Sequence, residues 1–153
     1  MLTNKFREME DLEIKQEIER TIIAFFTEMN GWEIYCEDID NNPDLSEKEK
    51  TELMKLKISS IFSQFCTLKD RKMGLPNCLS WGLEGSYKYD PSKETITDIE
   101  RVTKNKFHVY TCIEKGLMKE LHCYVCVCKS NKWLIDSKKR KWGDDTKWSN
   151  IYL

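Results

Sequence analysis

Three closely spaced turns in the C-terminal half of the chain constrain the fold more than any other feature of the sequence. Residues 124–137 carry β-branched, aromatic and cysteine side chains on both sides of Ser130-Asn131, which predicts two strands joined by a two-residue loop. Upstream, Lys115-Gly116 fits a second such loop, and Asn105 favours a third turn because asparagine tolerates a positive φ. The sequence therefore predicts a four-stranded antiparallel meander over about residues 96–142.

The N-terminal part has the periodicity of amphipathic helices. Apolar residues recur at three- and four-residue spacing through residues 11–29, with charged residues on the opposite side. Asn30-Gly31 predicts an interruption, after which a second helical segment over residues 32–36 continues beyond a kink. A capping box at Ser46 and Glu49 predicts another helix, which ends near residue 66. The apolar positions assigned to this helix are Leu53, Leu56, Ile61, Phe62 and Phe65.

We expect one domain over residues 1–153, since a chain of this length can bury about two-thirds of its unfolded surface. Its parts are a helical layer at about 5–66, a connecting segment at 67–95, the meander at about 96–142 and a tail at 143–153. No apolar run reaches the length that spans a membrane. The chain has seven cysteines and lacks a secretory signal, which predicts a cytoplasmic protein with free thiols.

Side-chain alternation assigns the strand residues to two faces of the sheet. One face is predicted to carry Val102, Phe107, Val109, Ile113, Met118, Tyr124, Cys126, Cys128, Trp133 and Ile135. The other is predicted to carry Ile99, Tyr110, Cys112, Leu117, Leu121, Cys123, Val125, Val127 and Leu134. Antiparallel sheets often expose one polar face, but both faces are apolar here. The helices can cover one of them, so we expect a partner or a second copy of the chain to cover the other.

Helices followed by a curved meander that ends in Lys-Trp-Leu-Ile-Asp-Ser resemble the nuclear transport factor 2-like (cystatin-like) fold. That fold is an α+β cone with N-terminal helices packed on a curved antiparallel sheet. The segments at 65–74, 89–94, 104–105 and 132–138 more narrowly resemble bacterial polymorphic-toxin immunity proteins of this fold, and the similarity covers about residues 58–153. The resemblance implies a protein that binds and neutralises a cognate toxin encoded beside it, with no catalytic residues and no cofactor.

Charge is divided unevenly along the chain. Residues 1–54 carry 6 Lys and Arg against 15 Asp and Glu, a net charge of −9, whereas the remainder carries a net charge of +8. We expect the acidic segment to contact a basic toxin domain, with two tryptophans as further contacts. The predicted partner-binding residues are Glu33, Glu37, Asp38, Asp40, Asp44, Glu47, Trp142 and Trp148. The basic run at 138–141 is interpreted as protection of an edge strand, and a nucleic-acid partner is not expected.

Two other kinds of site follow from residue chemistry. Cys123, Cys126 and Cys128, with His122 and His108, invite comparison with a zinc site, but Cys123 points away from the other two cysteines. His122 lies about 13 Å from Cys126 along an extended strand, so buried thiols and no metal are predicted. The alternative function is an enzyme of the same fold, a dehydratase or isomerase, that uses an inward histidine or carboxylate as general base. Its candidate residues are Asp98, Glu100, Glu120, His122 and Asp136.

Overall fold

The structure is a computed structural model that describes residues 2–153, with side chains from Asn4 onward. Its elements are α1 (Leu2–Asp40), α2 (Glu47–Phe65), β1 (Glu94–Thr103), β2 (Lys106–Lys115), β3 (Met118–Lys129), β4 (Lys132–Trp142) and β5 (Ser149–Ile151). The strands form one antiparallel sheet in sequential order, and both helices pack on one of its faces. This arrangement confirms the predicted α+β class. Neither described helix contains an apolar stretch of the kind that a bilayer crossing requires.

α1 is one continuous helix, so the predicted interruption at Asn30 and Gly31 is wrong. Contacts on both sides of the glycine explain the difference. The Asn30 amide donates to the Tyr89 carbonyl oxygen at 2.9 Å. Trp32 is fully buried, and its Nε1 donates to the Met54 carbonyl oxygen at 3.0 Å. These contacts outweigh the helix propensity of a single glycine, which is unfavourable by only about 1 kcal/mol.

Gly31→Ala is expected to raise the free energy of unfolding by about 0.5–1 kcal/mol, because alanine is the better helix former. Gly31 is exposed, and a Cβ added there meets no atom within 4 Å. Urea unfolding followed by circular dichroism measures the change. Gly116→Ala is the control, since Gly116 has a φ of +62° that strains alanine, and it should destabilise the protein. A Gly31→Ala variant that is less stable than the parent would contradict this reading of α1.

α2 begins at the predicted capping box. Ser46 Oγ accepts from the Glu49 backbone N–H at 3.1 Å, and the Glu49 carboxylate accepts from the Ser46 backbone N–H at 3.4 Å. Phe62 and Phe65 pack edge-to-face on Phe25 of α1, with ring centroids 6.1 and 5.9 Å away. The buried residues of α2 are Met54, Ile58, Ile61, Phe62 and Phe65. Leu56, assigned to the apolar side of the helix, is instead 73% exposed.

The hairpin between β3 and β4 has the predicted loop, and its register is as predicted up to Cys126 and Ile135, beyond which a β-bulge shifts β4 by one residue and turns Lys138 to the inner face. Ser130 and Asn131 have positive φ angles of 50° and 61°, as a type I′ turn requires. Cys128 consequently pairs with Trp133, as alternation from this loop predicts. The turn between β1 and β2 differs from the prediction, because Asn105 does not have a positive φ.

The register between β2 and β3 differs from the prediction by two residues. Lys115 pairs with Met118, so the loop is Gly116-Leu117 and begins one residue later than expected. Thr111 therefore pairs with His122. Because side chains alternate with a period of two, this shift leaves the assignment of residues to faces unchanged.

A β-bulge near the start of β1 changes which face its later residues occupy. The pairing of β1 with β2 shifts after Ile96, which leaves Thr97 without a partner in the ladder. Ile99 therefore lies opposite Val109 and packs against the helix-covered core, whereas the sequence assigned it to the other face. Val102, predicted to share a face with Phe107 and Val109, is instead 43% exposed.

The C-terminal tail contributes a fifth strand that the sequence analysis missed. β5 pairs with β4, with Ile151 opposite Lys138 and Ser149 opposite Arg140. β5 therefore covers the edge of β4 at residues 138–140. The interpretation of the basic run at 138–141 as protection of an open edge is wrong at these three residues. The side chain of Lys138 points into the core, and the residue is only 2% exposed.

The face of the sheet that points away from the helices is apolar, and the chain itself covers part of it. Cys123 and Val125, near its centre, are buried. The tail brings Trp148 to this face, with its ring centroid 5.8 Å from that of Tyr110 and 4.9 Å from Lys141 Nζ. Less of this face needs an external partner than the strand pattern implied.

Candidate functional site

The inner face of the sheet and the segment before β1 enclose a cavity of about 490 Å³ at the end where β2 turns into β3. Glu120 and His122 of β3 line it, together with Lys138 and Arg140 of β4 and residues 85–88 of the connecting segment. Residues two apart on a strand share a face, so two adjacent strands supply four ionisable side chains to one space. Glu120, His122 and Lys138 are buried, so their hydrogen bonds and ion pairs determine which charge on a ligand the cavity can accept.

Glu94, the first residue of β1, is the acceptor for three buried side chains at the inner end of this group. Its Oε2 accepts from Thr111 Oγ1 at 2.6 Å and from the Tyr124 hydroxyl at 2.9 Å, and it lies 3.1 Å from His122 Nδ1. Burial raises the pKa of Glu94, but the hydrogen bond to His122 and the charge of Lys138 outweigh it, so the net pKa is lowered. An ionised Glu94 can only accept, which assigns the proton to His122 Nδ1.

Lys138 contributes a buried ammonium group with an unusual environment. Its Nζ lies 4.7 Å from the centre of the Tyr89 ring and 5.1 Å from that of the Tyr124 ring. Burial lowers its pKa to about 8, although the charge of Glu94 opposes that shift. Among the described residues, this Nζ has cation–π contacts but makes no hydrogen bond and has no carboxylate oxygen within 4 Å.

Glu120 is a buried carboxylate of the cavity wall and is paired on three sides. Lys115 Nζ lies 2.8 Å from its Oε2, while Arg140 NH1 and His122 Nε2 each lie 3.6 Å from its Oε1. Burial raises the pKa of Glu120, but the hydrogen bond from Lys115 and the charge of His122 lead to a net lowering. Glu120 is therefore held as a carboxylate at neutral pH.

The structure brings together only two of the five residues proposed for an enzyme. Glu120 and His122 line the cavity, whereas Asp98 and Glu100 are exposed on β1. Asp136 instead anchors the connecting segment, since its Oδ1 accepts from Thr67 Oγ1 at 2.8 Å and its Oδ2 lies 3.3 Å from Lys69 Nζ. The inward residues that the sequence analysis missed are Glu94 and Lys138. Both residues are charged, so the alternation of apolar residues along the strands gives no signal that they are buried.

Glu33, the first residue of the predicted partner-binding set, has a structural role. It is 1% exposed and accepts three backbone hydrogen bonds from the connecting segment. Its Oε1 accepts from the N–H groups of Gly82 and Lys88, both at 2.9 Å, and its Oε2 accepts from the Tyr89 N–H at 3.0 Å. The prediction that Glu33 lies on the binding surface is therefore wrong, because the carboxylate substitutes for the missing backbone partners of an irregular segment.

The other five carboxylates lie at the C-terminal end of α1, in the turn that follows and at the start of α2. We call Glu37, Asp38, Asp40, Asp44 and Glu47 the acidic ridge. Glu37 is half-buried and the other four are exposed. Within the described residues, the only ion pair of the ridge joins Glu47 to Lys50 at 3.4 Å. The ridge therefore presents mostly uncompensated negative charge to solvent.

The two predicted tryptophans do not form one surface. Trp142 pairs with Glu120, whose side chain faces the cavity, and its ring centre lies 5.9 Å from Lys115 Nζ. Trp148 packs on Tyr110, which points to the opposite face of the sheet. Both tryptophans are half-buried. Because they lie on opposite sides of the sheet, they cannot belong to a single flat patch with the acidic ridge.

The cysteine side chains divide between the two faces of β3, as alternation predicts. Cys126 is in the helix-covered core, and Cys123 is buried on the other face. Burial raises the pKa of Cys123 to about 11, with Lys139 opposing and Glu100 adding to the shift. A thiol with a raised pKa is a poor metal ligand and a poor nucleophile at neutral pH.

The comparison with known families agrees with the fold. A family model described as "NTF2 fold immunity protein" (Imm-NTF2) matches residues 17–151. The chain belongs to this family. The resemblance found in the sequence is thus confirmed. A curated relative is Immunity protein RhsIA of Dickeya dadantii (strain 3937), which is 28% identical over 135 residues, or 88% of this chain and 95% of that protein. No solved structure matches the chain.

Proposed function

We propose that this protein neutralises one cognate toxin by binding it as a stoichiometric inhibitor, without catalysis, and that it does so in the cytoplasm. The observation that carries the proposal is membership of an immunity protein family over residues 17–151. The similarity to a protein named as the immunity protein RhsIA supports the same role. A cognate toxin domain is therefore the partner that we assign to this chain.

The acidic ridge is the surface we assign to toxin binding. Its exposed carboxylates are largely unpaired and lie in the N-terminal segment of 54 residues that carries a net charge of −9. Clustered uncompensated charge accelerates association with a partner of opposite sign, and it blocks the basic surface that a nuclease domain uses for its substrate. The ridge therefore suits a basic toxin domain.

Glu37→Lys combined with Asp38→Lys is expected to slow association with the toxin by about tenfold at low salt, because steering by a charged surface acts mainly on the association rate. Surface plasmon resonance at two salt concentrations measures the effect. The matched control is Glu13→Lys with Glu17→Lys, which reverses two exposed charges near the other end of α1. An association rate that is unchanged at low salt in the first variant would rule the ridge out.

The enzyme alternative rests on one observation, the cavity lined by His122 and Glu120 with Glu94 behind it. A general base works best when its pKa is close to the working pH, which for a carboxylate requires an upward shift. The pKa values of both Glu94 and Glu120 are shifted downward. This electrostatic arrangement argues against either carboxylate as the general base.

A second copy of the chain is a further candidate partner, through the sheet face that carries Tyr110 and Trp148. Sedimentation over a hundredfold concentration range tests it, because a dimer held by this face should dissociate on dilution. A Trp148→Ala variant should then shift the equilibrium towards monomer. A monomer at every concentration would exclude this partner.

Co-expression with the toxin domain encoded beside its gene is the direct test of the proposed function. We expect growth of the host to be rescued, and the two proteins to purify as a complex with a fixed ratio. Rescue without a complex would favour the enzyme alternative. If the toxin-producing host is not rescued and no complex forms, the proposed function is overturned for that toxin.

A further inference from the structure

We propose that the cavity between β3, β4 and the connecting segment binds a small molecule that carries one carboxylate on an apolar body, with Lys138 as its anion-binding group. This inference does not depend on toxin binding. It concerns a different surface from the acidic ridge, and a ligand that the family relationship does not imply.

The first argument is the state of the Lys138 ammonium. Fully buried lysines are normally paired, because a buried charge without a partner is strongly unfavourable. Lys138 is 2% exposed and lines the cavity, and within the part of the chain that the structure describes its Nζ lies over the rings of Tyr89 and Tyr124 without a hydrogen bond or an ion pair. An acceptor that enters the cavity would complete this site.

The second argument is the balance of charge around the cavity, whose lining has more cations (Lys88, Lys93, Lys115, Lys138 and Arg140) than carboxylates (Asp90, Glu114 and Glu120). Oε2 of Glu94 accepts from Thr111 and Tyr124 and contacts His122, and Glu120 is paired with Lys115. Asp90 on the rim lies 4.0 Å from Lys93 Nζ. When Glu94, whose charge acts on Lys138 from behind the cavity wall, is added to these carboxylates, one positive charge remains in excess. Its field attracts one negative charge into the cavity.

The third argument concerns the size and charge of the ligand. The cavity of about 490 Å³ lies within the range of small-molecule sites, about 300–1,000 Å³. Tyr87, Ile113 and Ile151 provide apolar wall surface for an uncharged body. A dianion such as phosphate would approach the carboxylates of Glu94 and Glu120, and like charges at short range are repelled. A single carboxylate fits this balance better.

The two histidines of the chain provide a reporter and its control. His122 lines the cavity, whereas His108 lies on the other face of the sheet near Tyr110. Benzoate added to the full-length protein should shift the Cε1–H proton resonance of His122 saturably and leave that of His108 in place. Benzamide, which has the same shape without the charge, should have little effect, and inorganic phosphate should bind more weakly than benzoate.

Lys138→Met tests the assignment of the ammonium, because methionine keeps an unbranched apolar chain without the charge. We expect the affinity for benzoate to fall about tenfold or more, as for the loss of a charge-assisted hydrogen bond. Lys139→Met is the matched control, since the next residue along β4 points to the opposite face beside Cys123 and should leave benzoate binding unchanged.

Three results would overturn the inference. The first is a His122 resonance that benzoate does not move in the wild-type protein, whether or not the variants fold. The second is an equal response to benzoate and benzamide, or a stronger response to phosphate. The third is undiminished benzoate binding by folded Lys138→Met protein.

Discussion

Glu33→Ala is expected to lower the free energy of unfolding by about 3 kcal/mol. The carboxylate accepts backbone hydrogen bonds from Gly82, Lys88 and Tyr89, and these three donors have no other partner in the irregular segment. Each donor left unsatisfied on burial is unfavourable by about 1–3 kcal/mol, with the lower part of that range applying where water can reach the donor. Urea unfolding measures the total, and increased proteolysis within residues 80–90 should accompany it.

Glu28→Ala is the matched control for Glu33, because Glu28 is exposed on the same helix and should change stability by less than about 0.5 kcal/mol. The stability effect also separates two roles of Glu33. A side chain that bound the toxin directly would weaken the complex on substitution and leave the free protein equally stable. That outcome would contradict the structural role assigned to Glu33.

Glu94→Ala is expected to destabilise the protein by about 4 kcal/mol, because it removes the shared acceptor of a buried cluster. Thr111 and Tyr124 would lose the acceptor of their hydroxyl groups, and His122 would lose its contact at 3.1 Å. Lys138 would also lose the negative charge that favours its protonated form. Breaking a buried, charge-assisted network from one side typically has an effect of about 3–5 kcal/mol. Thermal and urea unfolding at pH 7 measure it.

Glu94→Gln adds a pH signature to the same site. The pKa of Glu94 is lower in the folded protein than its ordinary value of 4.5, so its carboxylate stabilises the fold above that value. This contribution is lost as the pH falls through the lowered pKa. The stability difference between wild type and Glu94→Gln should therefore shrink on acidification below about pH 4.5. Glu100→Gln, on the exposed side of β1, should show no comparable change, and a constant difference for Glu94→Gln would contradict its ionised state.

The turns and helix starts of this fold could be predicted because their signals are local. Ser130 and Asn131 define a hairpin loop through their own backbone preference, and Ser46 with Glu49 defines the start of α2 through two reciprocal hydrogen bonds. The continuity of α1 through Gly31 could not be predicted, because residues distant in sequence determine it. A weak local preference is overridden when contacts on both sides of it hold the helix.

The residues of the cavity could be predicted only in part. Alternation placed His122 on the inner face, and a register error of two residues did not change that placement. Lys138 and Glu33 were missed as buried groups because charged residues are normally exposed, and no sequence pattern marks the exceptions. Their burial depends on β5 and on the connecting segment, which lack a regular hydrophobic period.

Titration of the cognate toxin's activity with the purified protein tests the central claim most directly. We predict that inhibition increases linearly with added protein and is complete at one equivalent. We also predict that the mass of the toxin is unchanged and that its activity returns when the complex is separated under denaturing conditions and the toxin is refolded. Complete inhibition by a small fraction of an equivalent, with a lasting change in the mass of the toxin, would show that the protein acts as a catalyst and would contradict neutralisation by binding.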